Sequence, residues 1–159
     1  MGDARRYQEY ARKIKLFNGL DPDDVSEILH QGSKLEYRAG DSIFFQGQMG
    51  ANIFIVLHGM VDISIDGTVI AKCRPGDAFG EMSALNHRPH CASAEAASDC
   101  KLFTLYEKDI NRILKSQVAV RLLLNIIHVL SSHLENANRI NTKNSELIKS
   151  IQHSASQIT

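Results

Sequence analysis

The 159-residue chain has no tryptophan, only three prolines and three cysteines, and no excess of either charge, because 18 Lys and Arg balance 18 Asp and Glu. Balanced charge gives no broad positive field of the kind that non-specific nucleic-acid or anionic-membrane binding requires. No apolar run approaches the roughly 20 residues of a membrane span, and no basic head with an apolar stretch behind it opens the chain. A cytoplasmic location is therefore expected. Cys73, Cys91 and Cys100 are odd in number and lack C-x-x-C spacing, which points to reduced thiols and away from a disulfide framework or a thiolate zinc site. With 43% apolar and 23% charged residues, the composition is that of one folded domain with at most an appendage.

What is present is unevenly placed. All ten glycines lie between Gly2 and Gly80, and the last proline is Pro89. Residues 4 to 15 favour an amphipathic helix that ends near Phe17, with Gly19 as its stop. Asp21-Pro22-Asp23-Asp24 supplies an N-cap, a first-turn proline and first-turn carboxylates for a second helix with Val25, Ile28 and Leu29 on one face. From Ser33 to Tyr106 the pattern turns to short runs bounded by glycine, which predict strands over 34–37, 42–46, 52–57, 60–65, 68–73 and 101–106. Asp66-Gly67 is a two-residue hairpin signal, since both positions of that turn take positive φ. The middle of the chain reads as an all-β roll.

Glu107 to Leu114 predicts a connecting helix, and Gln117 to about Ile140 a long one. In the long helix Ala119, Leu123, Ile126, Leu130, His133, Ala137 and Ile140 alternate at spacings of four and three, with Val120, Leu124, Ile127 and Leu134 as a second stripe. One stripe is expected to cover the roll while the heptad stripe meets a second copy in a parallel dimer; the alternative is a core helix inside one chain. The domain is thus placed at 1–140, with the dimer helix at 117–140. Residues 141–159 form a tail that continues the register through Asn144, Leu147, Ile151 and Ile158, although Asn141 to Ser145 is poor in helix formers.

The chemistry concentrates in Arg74-Pro75-Gly76-Asp77-Ala78-Phe79-Gly80-Glu81-Met82-Ser83-Ala84-Leu85 and Arg88-Pro89-His90-Cys91-Ala92-Ser93. A tight glycine path before a helix start at about Glu81 leaves first-turn N–H groups without intrahelical partners, which favours an anion such as phosphate. Glu81 repels that anion, so it must face something else. A carboxylate only accepts hydrogen bonds, and a ribose hydroxyl is a fitting donor. Phosphate and sugar together describe a nucleotide; the alternative is that Glu81 only complements the helix dipole.

These segments, with Arg38-Ala39-Gly40-Asp41 and Ile55-Val56-Leu57-His58-Gly59-Met60-Val61, resemble the cyclic-nucleotide-binding domain of catabolite activator proteins, kinase regulatory subunits and gated channels. The resemblance covers about residues 14 to 140. It implies a mainly β protein, a double-stranded β-helix or jelly roll of eight strands with N-terminal helices and a long C-terminal helix. It also implies a regulatory sensor that binds cyclic AMP or cyclic GMP through the cassette 79–93 and signals through its C-terminal helix to an unidentified downstream protein. The ligand-binding residues it implies are Phe79, Gly80, Glu81, Met82, Ser83, Arg88, His90, Cys91 and Ala92. His133 is a candidate for reaching the base from the long helix, with Ser131 and Ser132 as rivals and a register-setting role in a helix seam as the alternative.

One departure stands out. The family places an arginine on the cyclic phosphate where this chain has His90, followed by Cys91 where serine, threonine or alanine is common. A charged hydrogen bond is worth ~1.5–3 kcal/mol, so another cation is needed, and Arg88 and a protonated His90 are the two candidates. The same departure feeds the alternative of a degenerate domain that takes another ligand or serves as a dimerisation module. His87, His90, Cys91 and His58 match no metal spacing, and neither a metal nor a cofactor is expected. No catalytic motif occurs, so no enzyme is expected. The segment after Ile140 is too short for the helix-turn-helix that transcription factors of the superfamily append, so DNA binding by this chain is not expected either.

Overall fold

The computed structural model describes residues 2–113 and 118–156. They fall into two compact units, divided between Ile126 and Ile127. In the first, α1 (Gly2–Lys13) leads into a 3-10 turn (Lys15–Phe17) and α2 (Pro22–Gln31). The expected single helix to Phe17 is thus broken at Ile14, whose extended backbone (φ −89°, ψ 114°) separates helix from turn. Pro22 opens α2 as expected, whereas Asp21 takes the N-cap position without a side-chain capping bond.

Eight strands follow: β1 (Ser33–Tyr37), β2 (Ser42–Phe44), β3 (Asn52–His58), β4 (Val61–Ile65), β5 (Thr68–Cys73), β6 (Ala78–Phe79), β7 (Ser93–Ala96) and β8 (Cys100–Tyr106). They form two four-stranded sheets, ordered β1-β8-β3-β6 and β2-β7-β4-β5, with every pairing antiparallel. This is the mainly β fold that the glycine punctuation predicts. Asp66 and Gly67 join β4 to β5 with φ of 49° and 77°, the turn that the dipeptide calls for. The sequence pattern missed β6 and β7. The first has two residues, and the second, Ser-Ala-Glu-Ala, carries no branched or aromatic side chain.

The inner faces of the two sheets meet in an aromatic cluster. Phe54 stacks on Phe79 at 5.3 Å, and Phe44 tilts against both at 5.8 and 6.0 Å, with Val56, Val61, Cys73, Ala94, Ala96, Cys100 and Leu102 around them. Aromatic pairs at such spacings add about 0.5–1.5 kcal/mol beyond their buried area. β5 lies at the free edge of its sheet, with Val69 and Ile70 exposed, and a register shift opposite Ile63 and Ser64 leaves Ile70 as an extra residue on β5.

After β8 come α3's later neighbours α4 (Glu107–Ile113) and α5 (Ala119–Ser156), where α3 (Glu81–Asn86) is the short helix between β6 and β7. The expected helix limits at Leu114 and Gln117, and the register position Ile158, lie outside the described residues. α5 runs through Asn141 to Ser145, where the Thr142 hydroxyl donates to the Asn138 carbonyl at 3.0 Å and satisfies itself inside the helix.

Val118, just before α5, and Ala119, Leu122, Asn125 and Ile126 at its start are buried in the first unit, while Val120, Leu124 and Ile127 are more than half exposed. Ala119 and Ile126 belong to the heptad stripe expected to meet a partner but are buried here, whereas Leu123 of the same stripe is exposed. The reason is Asn125. Its amide donates to the carbonyls of Leu16 and Asn18, both at 2.9 Å, and Arg121 donates to the carbonyl of Gly19, so the start of the helix is rotated to cap the end of the 3-10 turn. Asn125→Ala leaves two carbonyls without a donor and is expected to cost about 1–3 kcal/mol. In urea titrations this appears as a lower midpoint at unchanged slope; an unchanged midpoint means that the cap carries no stability.

Candidate functional site

The site is built from one continuous stretch. The turn before β6 is pinned to the N-terminal elements: the Lys15 N–H donates to the Gly76 carbonyl at 3.1 Å, and the Lys15 ammonium pairs with Asp77 at 2.7 Å. Phe79, buried in the aromatic cluster, then delivers the chain to Gly80. Gly80 has φ +82°, and a Cβ there would stand 2.7 Å from the Asn52 carbonyl, so only glycine fits between β3 and the start of α3. Glu81 opens α3 and is buried, as are Ser83 and Ala84, while Met82 between them faces outward and is about half exposed. α3 ends at His87, in the left-handed region (φ 50°), and His87 Nδ1 stands 3.5 Å from Glu107 at the head of α4.

Arg88 and Cys91 are exposed, and Ala92 is buried. His90 turns inward. Its backbone donates to the Gln48 carbonyl at 2.9 Å and accepts from the Gly47 N–H at 2.7 Å, which fastens the segment after α3 to the β2–β3 turn. The imidazole is 5% exposed, stacks on Phe44 with centroids 3.7 Å apart and planes at 8°, and shares a 2.7 Å hydrogen bond between Nδ1 and the Ser83 hydroxyl. Its Nε2 lies against Gly50, where an added Cβ would come within 2.3 Å. His90 thus bridges α3, β2 and the β2–β3 turn. Gly47 and Gly50 mark this turn in the sequence, but nothing in their spacing shows that it packs against His90.

Burial lowers the His90 pKa from the ordinary imidazole value, so the folded protein holds the ring neutral. It is not the standing cation that a phosphate site needs. Burial, with Asp77 and Glu81 adding repulsion, pushes the Cys73 thiol up to about 12, which keeps it inert behind the cassette. All three cysteines are free thiols. Among the described residues no three His, Cys, Asp or Glu side chains are grouped to hold a metal, and no helix is long and apolar enough to cross a membrane. His133 lies in the second unit, on an exposed stretch of α5.

The family model of the cyclic nucleotide-binding domain matches residues 34–117. The chain belongs to this family. It is 28% identical over 143 residues to the hyperpolarization-activated cyclic nucleotide-gated channel 4 of Oryctolagus cuniculus, across 90% of this chain and 12% of the channel. It is 30% identical over 115 residues to the cAMP-dependent protein kinase regulatory subunit of Debaryomyces hansenii, across 72% of this chain and 25% of the subunit. Each relative is therefore matched over a minor part of its own length. Among solved structures, a cyclic nucleotide-binding domain from Methylobacillus flagellatus superimposes with a TM-score of 0.77 at 22% identity, over 88% of this chain and 85% of that one. The eight strands, N-terminal helices and long C-terminal helix are the architecture that the sequence resemblance implied.

A neutral buried histidine ties stability to pH. Its folded pKa lies below the unfolded value of about 6.5, so its stabilising contribution is complete above that value and declines as pH falls from there through the lowered one. His90→Gln keeps an amide beside Ser83 and does not titrate. The wild-type advantage over this variant in urea midpoint is expected to shrink between about pH 8 and pH 5; a constant difference excludes titration of His90 in this range.

Proposed function

We propose that this chain is a regulatory, non-catalytic domain that binds a cyclic nucleotide, cyclic AMP or cyclic GMP, in the cassette 79–93 and passes the bound state to α5. The observation that carries this reading is Glu81, a carboxylate buried at the first position of α3 behind a glycine that nothing else can replace. A carboxylate only accepts hydrogen bonds, and a ribose hydroxyl is a donor that suits that position. The family match and the names of the channel and kinase relatives support the same ligand class. Phe79, Gly80, Ser83 and Ala92 shape the wall, and Met82 and Cys91 stand at its exposed rim. His133 is the candidate for contact with the base.

Transmission follows from population shift: the ligand changes the preferred setting of α5 only as far as it binds two settings unequally. We place the protein in the cytoplasm on the three free thiols, with a second copy and an unidentified downstream protein as partners. The exposed Val120, Leu124, Ile127 and Leu134 fit a helix pair. The inward, neutral His90 favours one second reading, a domain that has lost its nucleotide and works by dimerisation or with another ligand.

Titration calorimetry with cyclic AMP and cyclic GMP tests the first reading. Binding is expected, weakened about 10- to 100-fold by Glu81→Gln, the span of one charged hydrogen bond. Absence of heat with both, together with unchanged thermal stability, favours the second reading. Light scattering tests the partner: twice the 17.7 kDa chain mass is expected for the wild type and a monomer for Leu124→Glu with Ile127→Glu. A monomeric wild type removes the helix pair.

A further inference from the structure

The sequence leaves Arg88 and His90 as rivals for the cation that an anionic ligand needs, and their placement separates them. Arg88 is exposed on the segment after α3. His90 is inside, one hydroxyl away from α3 through Ser83, with its ring against Phe44 of the central aromatic cluster. Among the described residues the groups that meet the imidazole are Phe44 from β2, Gly50 from the β2–β3 turn and Ser83 from α3, none of which ionises. The titratable groups nearest along the chain are Glu81 on α3, and His87, Arg88 and Cys91 on its own segment.

We propose that His90 is the residue that meets the anionic group of the ligand, and that it does so by taking up a proton as the ligand enters. The inference rests on the cyclic-nucleotide reading above. A cyclic phosphodiester carries one negative charge, which in a buried wall calls for a cation beside it. Among the described residues the ring makes no ion pair, and burial disfavours a proton on it. An arriving anion reverses that balance. The Ser83 hydroxyl can donate or accept, so its bond to Nδ1 can turn to a ligand oxygen when Nδ1 acquires a proton of its own. The balance is simple: one proton leaves solvent or buffer, adds to the imidazole, and no covalent bond to the ligand forms or breaks.

The chain thereby replaces a permanent cation with a conditional one, and ligand affinity becomes a function of pH. Between the free and the ligand-bound pKa of the ring, affinity rises by up to about tenfold for each unit of acidification. Gly50 belongs to the same device, because any side chain there collides with Nε2. A family arginine would need no proton and would give a flat profile.

Calorimetry of the whole chain with cyclic AMP and cyclic GMP, at about pH 7 in Tris and in PIPES, counts the protons exchanged, since these buffers release very different heats on ionisation. Net uptake approaching one proton per ligand is expected for the wild type and for Arg88→Gln. His90→Gln, which keeps a polar group beside Ser83, is expected to bind more weakly with no uptake. His90→Arg is expected to bind with no uptake and a flat pH profile. Wild-type binding without uptake overturns the proposal while leaving the cyclic-nucleotide reading intact. Uptake that persists in His90→Gln, or binding abolished by Arg88→Gln alone, also overturns it. Absence of binding by every nucleotide overturns both.

Discussion

The position of α3 depends on how the chain returns after it. A helix of six residues cannot hold itself, because nucleation consumes most of what so few hydrogen bonds return. Here it is held from outside. His90 gives its backbone N–H and carbonyl to the β2–β3 turn and its ring to Ser83 and Phe44, so the segment that follows α3 presses the helix onto the aromatic cluster. The same turn is tied twice more, by the Gln46 N–H to the Ser93 hydroxyl and by the Gln46 side chain to Asp66 at the tip of the β4–β5 hairpin. The site wall, one sheet end and a hairpin tip therefore share one set of polar bonds.

The fold was legible in the sequence wherever the residues themselves repeat with the period of the structure. Asn52 to Leu57 and Val61 to Ile65 declare strands by branched and aromatic side chains, and Asp66-Gly67 fixes their neighbour by its turn. The site was legible as a segment, through Gly80 and Glu81, and less so as a geometry. Nothing in Pro89-His90-Cys91 says which way the histidine faces. That is decided by Gly50, forty residues away, whose missing side chain leaves room for the ring.

The facing of α5 shows a similar limit. Both of its apolar stripes satisfy the pattern for burial, and hydrophobicity alone gives no reason to choose between them. The choice comes from a polar residue, Asn125, which has two carbonyls to satisfy at the end of the 3-10 turn and brings Leu122 and Ile126 inward with it. A buried amide with both of its donors used restricts the helix to one rotation far more sharply than a row of interchangeable aliphatic side chains.

The free edge of β5 bears on how the protein behaves in a crowded solution. An unpaired strand carrying Val69 and Ile70 offers a ready-made seam to any other extended chain, including a half-folded copy of itself. Two features blunt it. Lys72 stands on that strand, tethered to Asp62 at 2.7 Å, so a like strand sliding into register brings a second ammonium against the first. The irregularity between Ile63 and Ser64 bends the ribbon, so that a straight strand meets only part of its edge. Colloidal stability at high concentration thus rests on one lysine and one bulge at the edge of the roll.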